Sequence, residues 1–243
     1  MKKKLILLLL ITTTLMSACA MDKEKKSSLT ANEEKFTWWV DRDKAFGNFE
    51  YPAISEKEAM ELMKNKFNLK IPDFFSEAKK IAEKNLVSDG TELDVGVYSI
   101  FATGDEVLFS GMIRRKDSLG HYLSYAKIEL KYQYIDIQKK VKLQSQSLSF
   151  YNLTNDNTFN ERELIQCLKN LSDLLELKDQ EKLLTKFNED TKDSTKLVGK
   201  EVSVYRTLDD AYKKNTFGKN LIVTYNQEGN VKIIDAVISD YRL

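Results

Sequence analysis

The side chains that could do chemistry are few. The 243-residue chain has one histidine, His121, and two cysteines, Cys19 and Cys167. A catalytic triad needs a nucleophile and an orienting acid beside its histidine. His121 instead follows Gly120 in what reads as a turn between strands, and no serine stands in a Gly-x-Ser-x-Gly elbow. Zinc takes several Cys or His ligands, more than this set supplies. The acidic stretches Asp41-Arg42-Asp43 and Asp190 to Asp193 lack the spaced Asp/Asn-Gly pattern of a calcium loop. Cys167 lies among Leu164, Ile165, Leu168 and Leu171 and reads as a small buried hydrophobe. No glycine-rich phosphate loop and no dinucleotide fingerprint is present. The expectation is a protein with no metal, no cofactor and no catalytic residue, although the 37 carboxylates leave a glycosidase-like acid pair open by number alone.

The other cysteine has a different context. Lys2, Lys3 and Lys4 precede an apolar run from Leu5 to Ile11, and Leu15-Met16-Ser17-Ala18 lead up to Cys19. This is a charged n-region, a short h-region and a small-residue cleavage site. Met16-Ser17-Ala18-Cys19 resembles the bacterial lipobox, with Met16 where Leu is usual. The resemblance implies a signal peptide over residues 1–18, cleavage before Cys19 and lipid attachment to its thiol. Two acyl chains hold a protein stably, so the expected location is the outer face of the bacterial cell membrane. The 14 residues from Leu5 to Ala18 are too few to span a bilayer as a helix, which takes about 20. Removing residues 1–18 takes three lysines from 38 basic side chains and leaves 35 against 37 acidic ones. Nothing in that balance suits nucleic acid. With Cys19 acylated, Cys167 has no disulfide partner.

Residues 19–35 are polar, charged and aperiodic, as for a flexible tether with about 20 Å of reach. Six aromatic residues follow between Phe36 and Tyr51, among them both tryptophans, mixed with Asp41, Arg42, Asp43 and Lys44. Such a cluster serves either as a strand or loop packed over a core or as a contact platform, since flat aromatics offer area at low entropic cost. Trp38, Trp39, Phe46 and Tyr51 are the candidate binding residues.

Ser55-Glu56-Lys57-Glu58 is a capping box, and Ala59, Leu62, Met63 and Phe67 share one helical face, which predicts a helix over about 56–68. A second helix follows Pro72-Asp73 and runs to about Asn85. The period then changes to two. Alternation predicts strands near 93–101, 107–113, 126–134 and 141–151, the last with Ser and Gln outward and therefore resembling an edge. Then EKEAMELMKN at 56–65 aligns without gaps on ERELIQCLKN at 161–170, and Val97-Tyr98 corresponds to Val204-Tyr205. A helix around 180–188 and strands at 202–206, 221–225 and 231–239 complete the second half.

This order implies an internal duplication. The expected class is α+β, in two tandem units at 36–155 and 156–243, each of two helices followed by a three- or four-stranded antiparallel sheet. By analogy each unit is similar to cystatin-like or NTF2-like folds. The expected function is a non-enzymatic envelope lipoprotein that binds an envelope or secreted protein or cell-wall glycan. The alternatives are a carboxylate-dependent wall hydrolase and a solute-capture lipoprotein of a transporter.

Overall fold

The computed structural model describes residues 29–154, 159 and 161–243. The lipobox at Met16 to Cys19, the signal peptide and the first part of the tether lie outside them, as does the junction between the two expected units. The described strands are β1 (Trp39–Asp41), β2 (Phe49–Ile54), β3 (Thr91–Thr103), β4 (Glu106–Asp117), β5 (Tyr122–Ile135), β6 (Lys140–Asn152), β7 (Glu201–Arg206), β8 (Phe217–Tyr225) and β9 (Val231–Asp240). All nine belong to one antiparallel sheet in the order β2-β3-β4-β5-β6-β9-β8-β7, with β1 added beside the first residues of β6.

The helices are α1 (Ala31–Glu34), α2 (Glu56–Glu61), α3 (Asp73–Leu86), α4 (Glu161–Leu174), α5 (Gln180–Asp190) and α6 (Leu208–Lys214). Ser55 caps α2, its hydroxyl accepting from the Glu58 amide at 3.3 Å. The helix passes into a π-helical turn over Leu62–Lys66 before the chain turns at Asn68, φ +54°. Lys79 of α3 donates to the Glu56 carboxylate at 2.7 and 2.9 Å and ties the two helices together. α3 packs on β4, β5 and β6 and touches α4, while α5 lies against β7. Phe75 of α3 reaches the sheet because Gly111 leaves room: a Cβ there would stand 3.0 Å from both the Phe75 and Tyr98 rings. The buried residues of α2 to α5 and one face of the sheet form a single core.

Two tandem units are therefore not what the chain builds. β6, read as an edge, is the central strand: it pairs with β5 on one side, and on the other with β9 from Ser145↔Ser239 to Tyr151↔Ile233. Its outward serines report which face of the sheet is solvated, and they carry no information about lateral pairing. The cystatin-like and NTF2-like analogies fail for the same reason, since each expects a separate small sheet. The matched pair Val97-Tyr98 and Val204-Tyr205 fails on topology. Carrying β3-β4-β5 onto β9-β8-β7 in reverse order, with strand directions and helix-bearing face unchanged, is a reflection, which no copied unit of L-residues can undergo.

The true edges are β2 and β7. Pro52 and a bulge with Ala53 at φ +54° interrupt the first; a bulge at Val204 and the Glu201–Arg206 ion pair, 2.6 Å, mark the second. These are ordinary guards against edge-to-edge pairing.

Residues 29–41 run across the join between β6 and β8-β9 like a strap. The Gln146 side-chain amide donates to the Phe36 carbonyl at 2.8 Å, and the Phe36 ring stacks on Phe217 at 6.3 Å. Lys35 pairs with Glu176 just past α4, and the Leu143 amide donates to the Trp38 carbonyl at 2.9 Å. Residues 29–35, assigned to the tether by composition, thus include a short helix opened by the Glu33 carboxylate accepting from the Thr30 amide at 2.9 Å.

Candidate interaction surface

The sheet has a second face, and its residues can be read from the register. One row across the strands is Met112, Lys127, Ser149, Asp235 and Ile222; the next is Ser110, Glu129, Ser147, Val237 and Asn220. Toward the other end lie Arg114, Tyr125, Tyr151, Ile233 and Thr224. None of the helices packed into the core reaches this side. α6 covers one corner of it, where Gly218 allows close approach: a Cβ there would come within 2.6 Å of the Ala211 Cβ. The central residues are mostly half-buried, as side chains on an open sheet shade one another.

Two features stand out within this face. Tyr125 and Tyr151, directly opposite on β5 and β6, stack with centroids 4.5 Å apart and planes at 11°. Beside them Asp235 sits between Ser149 and Ile222. Burial pushes its carboxyl above the usual carboxylate range, the Ser149 hydroxyl works against that shift, and Glu201 and Glu129 add to it. The cations of the face are committed elsewhere: Lys127 to Glu129 at 2.7 Å, Lys131 to Glu106 at 2.6 Å and Arg114 to Asp94 at 2.7 Å. Among the described residues no ion pair is formed by Asp235. The result is a polar, hydrogen-bonding face with one uncompensated acid near a tyrosine stack.

The four aromatic residues singled out in the sequence do not form one platform. Trp38 and Trp39 point to opposite faces of β1. Trp38 stands edge-on to Tyr132 at 6.0 Å, whose hydroxyl donates to the Lys70 carbonyl at 2.6 Å; it also lines a 220 Å³ cleft with Lys35, Pro72, Phe74 and Leu143. Trp39 lies beneath the Lys142 ammonium, 5.5 Å from its ring, and that ammonium donates to the Arg242 carbonyl. Phe46 and Tyr51 do come together, around the buried Phe67. Phe46 is itself 5% exposed and roofed by the Arg42 guanidinium at 4.4 Å. Tyr51 is half-buried and its hydroxyl meets the Lys66 ammonium.

His121 is exposed at the β4–β5 turn, its Nδ1 3.1 Å from the Asp117 carboxylate. The His121 backbone amide, foremost among the donors there, lowers the Asp117 carboxyl. Cys167 is fully buried, and burial alone pushes its thiol up to about 12. It has none of the thiolate character of a reactive cysteine. Among the described residues no three His, Cys, Asp or Glu side chains gather where they could hold a metal ion, and no helix is long and apolar enough to cross a membrane.

Sequence reasoning passed over Asp235, Tyr125 and Tyr151. The available signal was the period-two pattern of β5, β6 and β9, whose outward positions include Tyr125, Tyr151 and Asp235 respectively; it was read only for what it buries. No protein-family profile, no curated protein and no solved structure matches the chain.

Proposed function

We propose that the chain is a lipid-anchored, non-enzymatic binding module at the outer face of the bacterial cell membrane. It is attached through Cys19 and meets its partner, an envelope or secreted protein or a wall glycan, with the uncovered face of its sheet. The observation that carries the reading is the asymmetry of that sheet. One face is sealed under four helices, while the other presents hydroxyls, amides, a tyrosine stack and a carboxyl, Asp235, that has no ion-pair partner among the described residues. Such side chains suit recognition through hydrogen bonds and stacking. The lipobox resemblance at Met16 to Cys19 supports the anchor.

The test is a photocrosslinking side chain at position 147, in the middle of the open face, in cells carrying either native Cys19 or Cys19→Ala. A discrete adduct with native Cys19 that moves from membrane to medium in the variant is the expected result. Absence of any adduct to protein or glycan rejects the open face, and unchanged membrane retention rejects the anchor. A hydrolase is the second reading, favoured by the raised Asp235 carboxyl in the neighbourhood of Glu129. Loss of wall turnover in Asp235→Asn, with the fold intact, would establish it in place of the first.

A further inference from the structure

Both ends of the sheet expose apolar tips. At one end Leu119 in the β4–β5 turn is 79% exposed and Leu153 after β6 is 54% exposed. At the other, where β8 begins and β9 ends, Tyr212 of α6 is 68% exposed and Leu243 is 70% exposed. Apolar exposure alone does not distinguish them. The path of the strap does.

Phe36 rests on Phe217, the first residue of β8, and Glu33 is close enough to Arg242 to act on its charge. Arg242 adjoins Tyr241, whose ring meets Tyr212 edge-on at 5.3 Å. The described chain therefore begins, at residue 29, on the same end of β8-β9 as Tyr212. Cys19 stands ten positions before Leu29, and ten steps of chain reach at most about 35 Å when fully extended. The long strands of the sheet have up to 14 residues, which at about 3.3 Å each come to roughly 46 Å. An acyl group on Cys19 can thus be held in a bilayer with the Tyr212 end down more readily than with the Leu119 end down.

That end has the chemistry for it. α6 carries its acids, Asp209 and Asp210, in the first turn and its lysines, Lys213 and Lys214, in the last. Arg206 occupies Asp209 at 3.1 Å. Lys213 and Lys214 are exposed beside Tyr212, and among the described residues neither has an ion-pair partner. A tyrosine flanked by lysines is suited to the headgroup region, ring toward the acyl boundary and charges toward anionic lipid.

We infer that the end of the molecule formed by Tyr212, Lys213, Lys214 and Leu243 sits on the anionic surface of the membrane, leaving the Leu119 end outermost. This rests on the anchoring part of the proposed function. The test is sedimentation of residues 19–243 carrying Cys19→Ser, which has no acyl site, with vesicles of equal phosphatidylglycerol and phosphatidylcholine, against vesicles of phosphatidylcholine alone. Binding to the anionic vesicles is expected to fall by about tenfold or more in Lys213→Glu/Lys214→Glu. A smaller loss is expected in Tyr212→Ala and none in Leu119→Ser, with thermal melts showing that each variant is folded. No binding to anionic vesicles, or an equal loss in Leu119→Ser, overturns the inference.

The intact mass of the native protein from cells keeps the two readings apart. An unacylated chain whose soluble form still binds these vesicles rejects the anchor and keeps the patch. An acylated chain whose soluble form ignores them does the reverse.

Discussion

Phe150 and Tyr151 are neighbours on β6, and they live in different surroundings. Phe150 is 1% exposed, edge-on to Phe159 at 6.1 Å in the core. Tyr151 points the other way, half-buried, stacked on Tyr125 and next to Asp235. The same contrast repeats along β5, where Ile128 and Leu130 are buried while Lys127 and Glu129 pair with each other on the far side. A pleated strand sends successive side chains to opposite faces, so a single sequence run writes two surfaces at once. The helices have settled on one of them. What remains is a broad face of hydroxyls, ion pairs and stacked rings, and that is the part of the molecule free to be selected for recognition.

Truncation at the two neighbouring positions gives the largest expected difference. Phe150→Ala empties a filled site and should cost about 3–5 kcal/mol in a denaturant melt. Tyr151→Ala loses a ring contact and some shading, and should cost about 1 kcal/mol. Equal costs would mean that the second face is a core as well, and that whatever covers it forms part of the stable fold.

Much of this was legible in sequence at the level of faces. Alternation in β4 and β5 identified Val107, Phe109, Ile128 and Leu130 as buried, and Ser55 with Glu58 marked the start of α2. Lateral relations were not legible. Nothing in the residues of β6 says that β9 will arrive beside it from 80 or more positions away, because pairing is made by backbone groups that every residue shares. The strap was missed for a related reason. Residues 29–35 are polar by composition, yet Lys35 and Phe36 are held by partners at 146, 176 and 217 that no local pattern announces. The aromatic cluster from Phe36 to Tyr51 was visible as a cluster in sequence, and folding distributes it between the strap and the surroundings of Phe67.

The strap itself sharpens the contrast, because it buries a charge in the sealed side. The Lys219 ammonium donates to the Leu175 carbonyl at 2.6 Å, with the Phe36 ring at 4.6 Å and the Phe217 ring at 5.8 Å. Burial lowers it to about 8 from 10.5, with Glu33 opposing the shift and Lys35 and Lys178 adding to it. Between those two values the unfolded chain binds more protons than the folded one, so Lys219 makes stability rise with pH across that window. Lys219→Met has no such dependence. The melting temperature of the variant relative to the native protein should therefore decline as pH goes from 8 to 10.5. A constant difference would show that the ammonium is well hydrated and that Phe36 does not seal it.

The smallest effect belongs to the open face and has the opposite sign. The Asp235 carboxyl is held above the ordinary 3.8, first by burial and then by Glu201 and Glu129, against the Ser149 hydroxyl. Above 3.8 the folded protein retains a proton that the unfolded chain has released, so the contribution of Asp235 to stability falls as pH rises through its folded value. Asp235→Asn removes that slope, and the variant should gain on the native protein as pH rises from 3.8 upward, in paired thermal melts. Solvent on the half-exposed face keeps the gain below that of a buried acid. A partner that hydrogen-bonds to the protonated carboxyl would enlarge the shift, and one that brings a cation would reverse it. Repeating the paired melts with the adduct partner from position 147 present would then report which kind of group the open face receives.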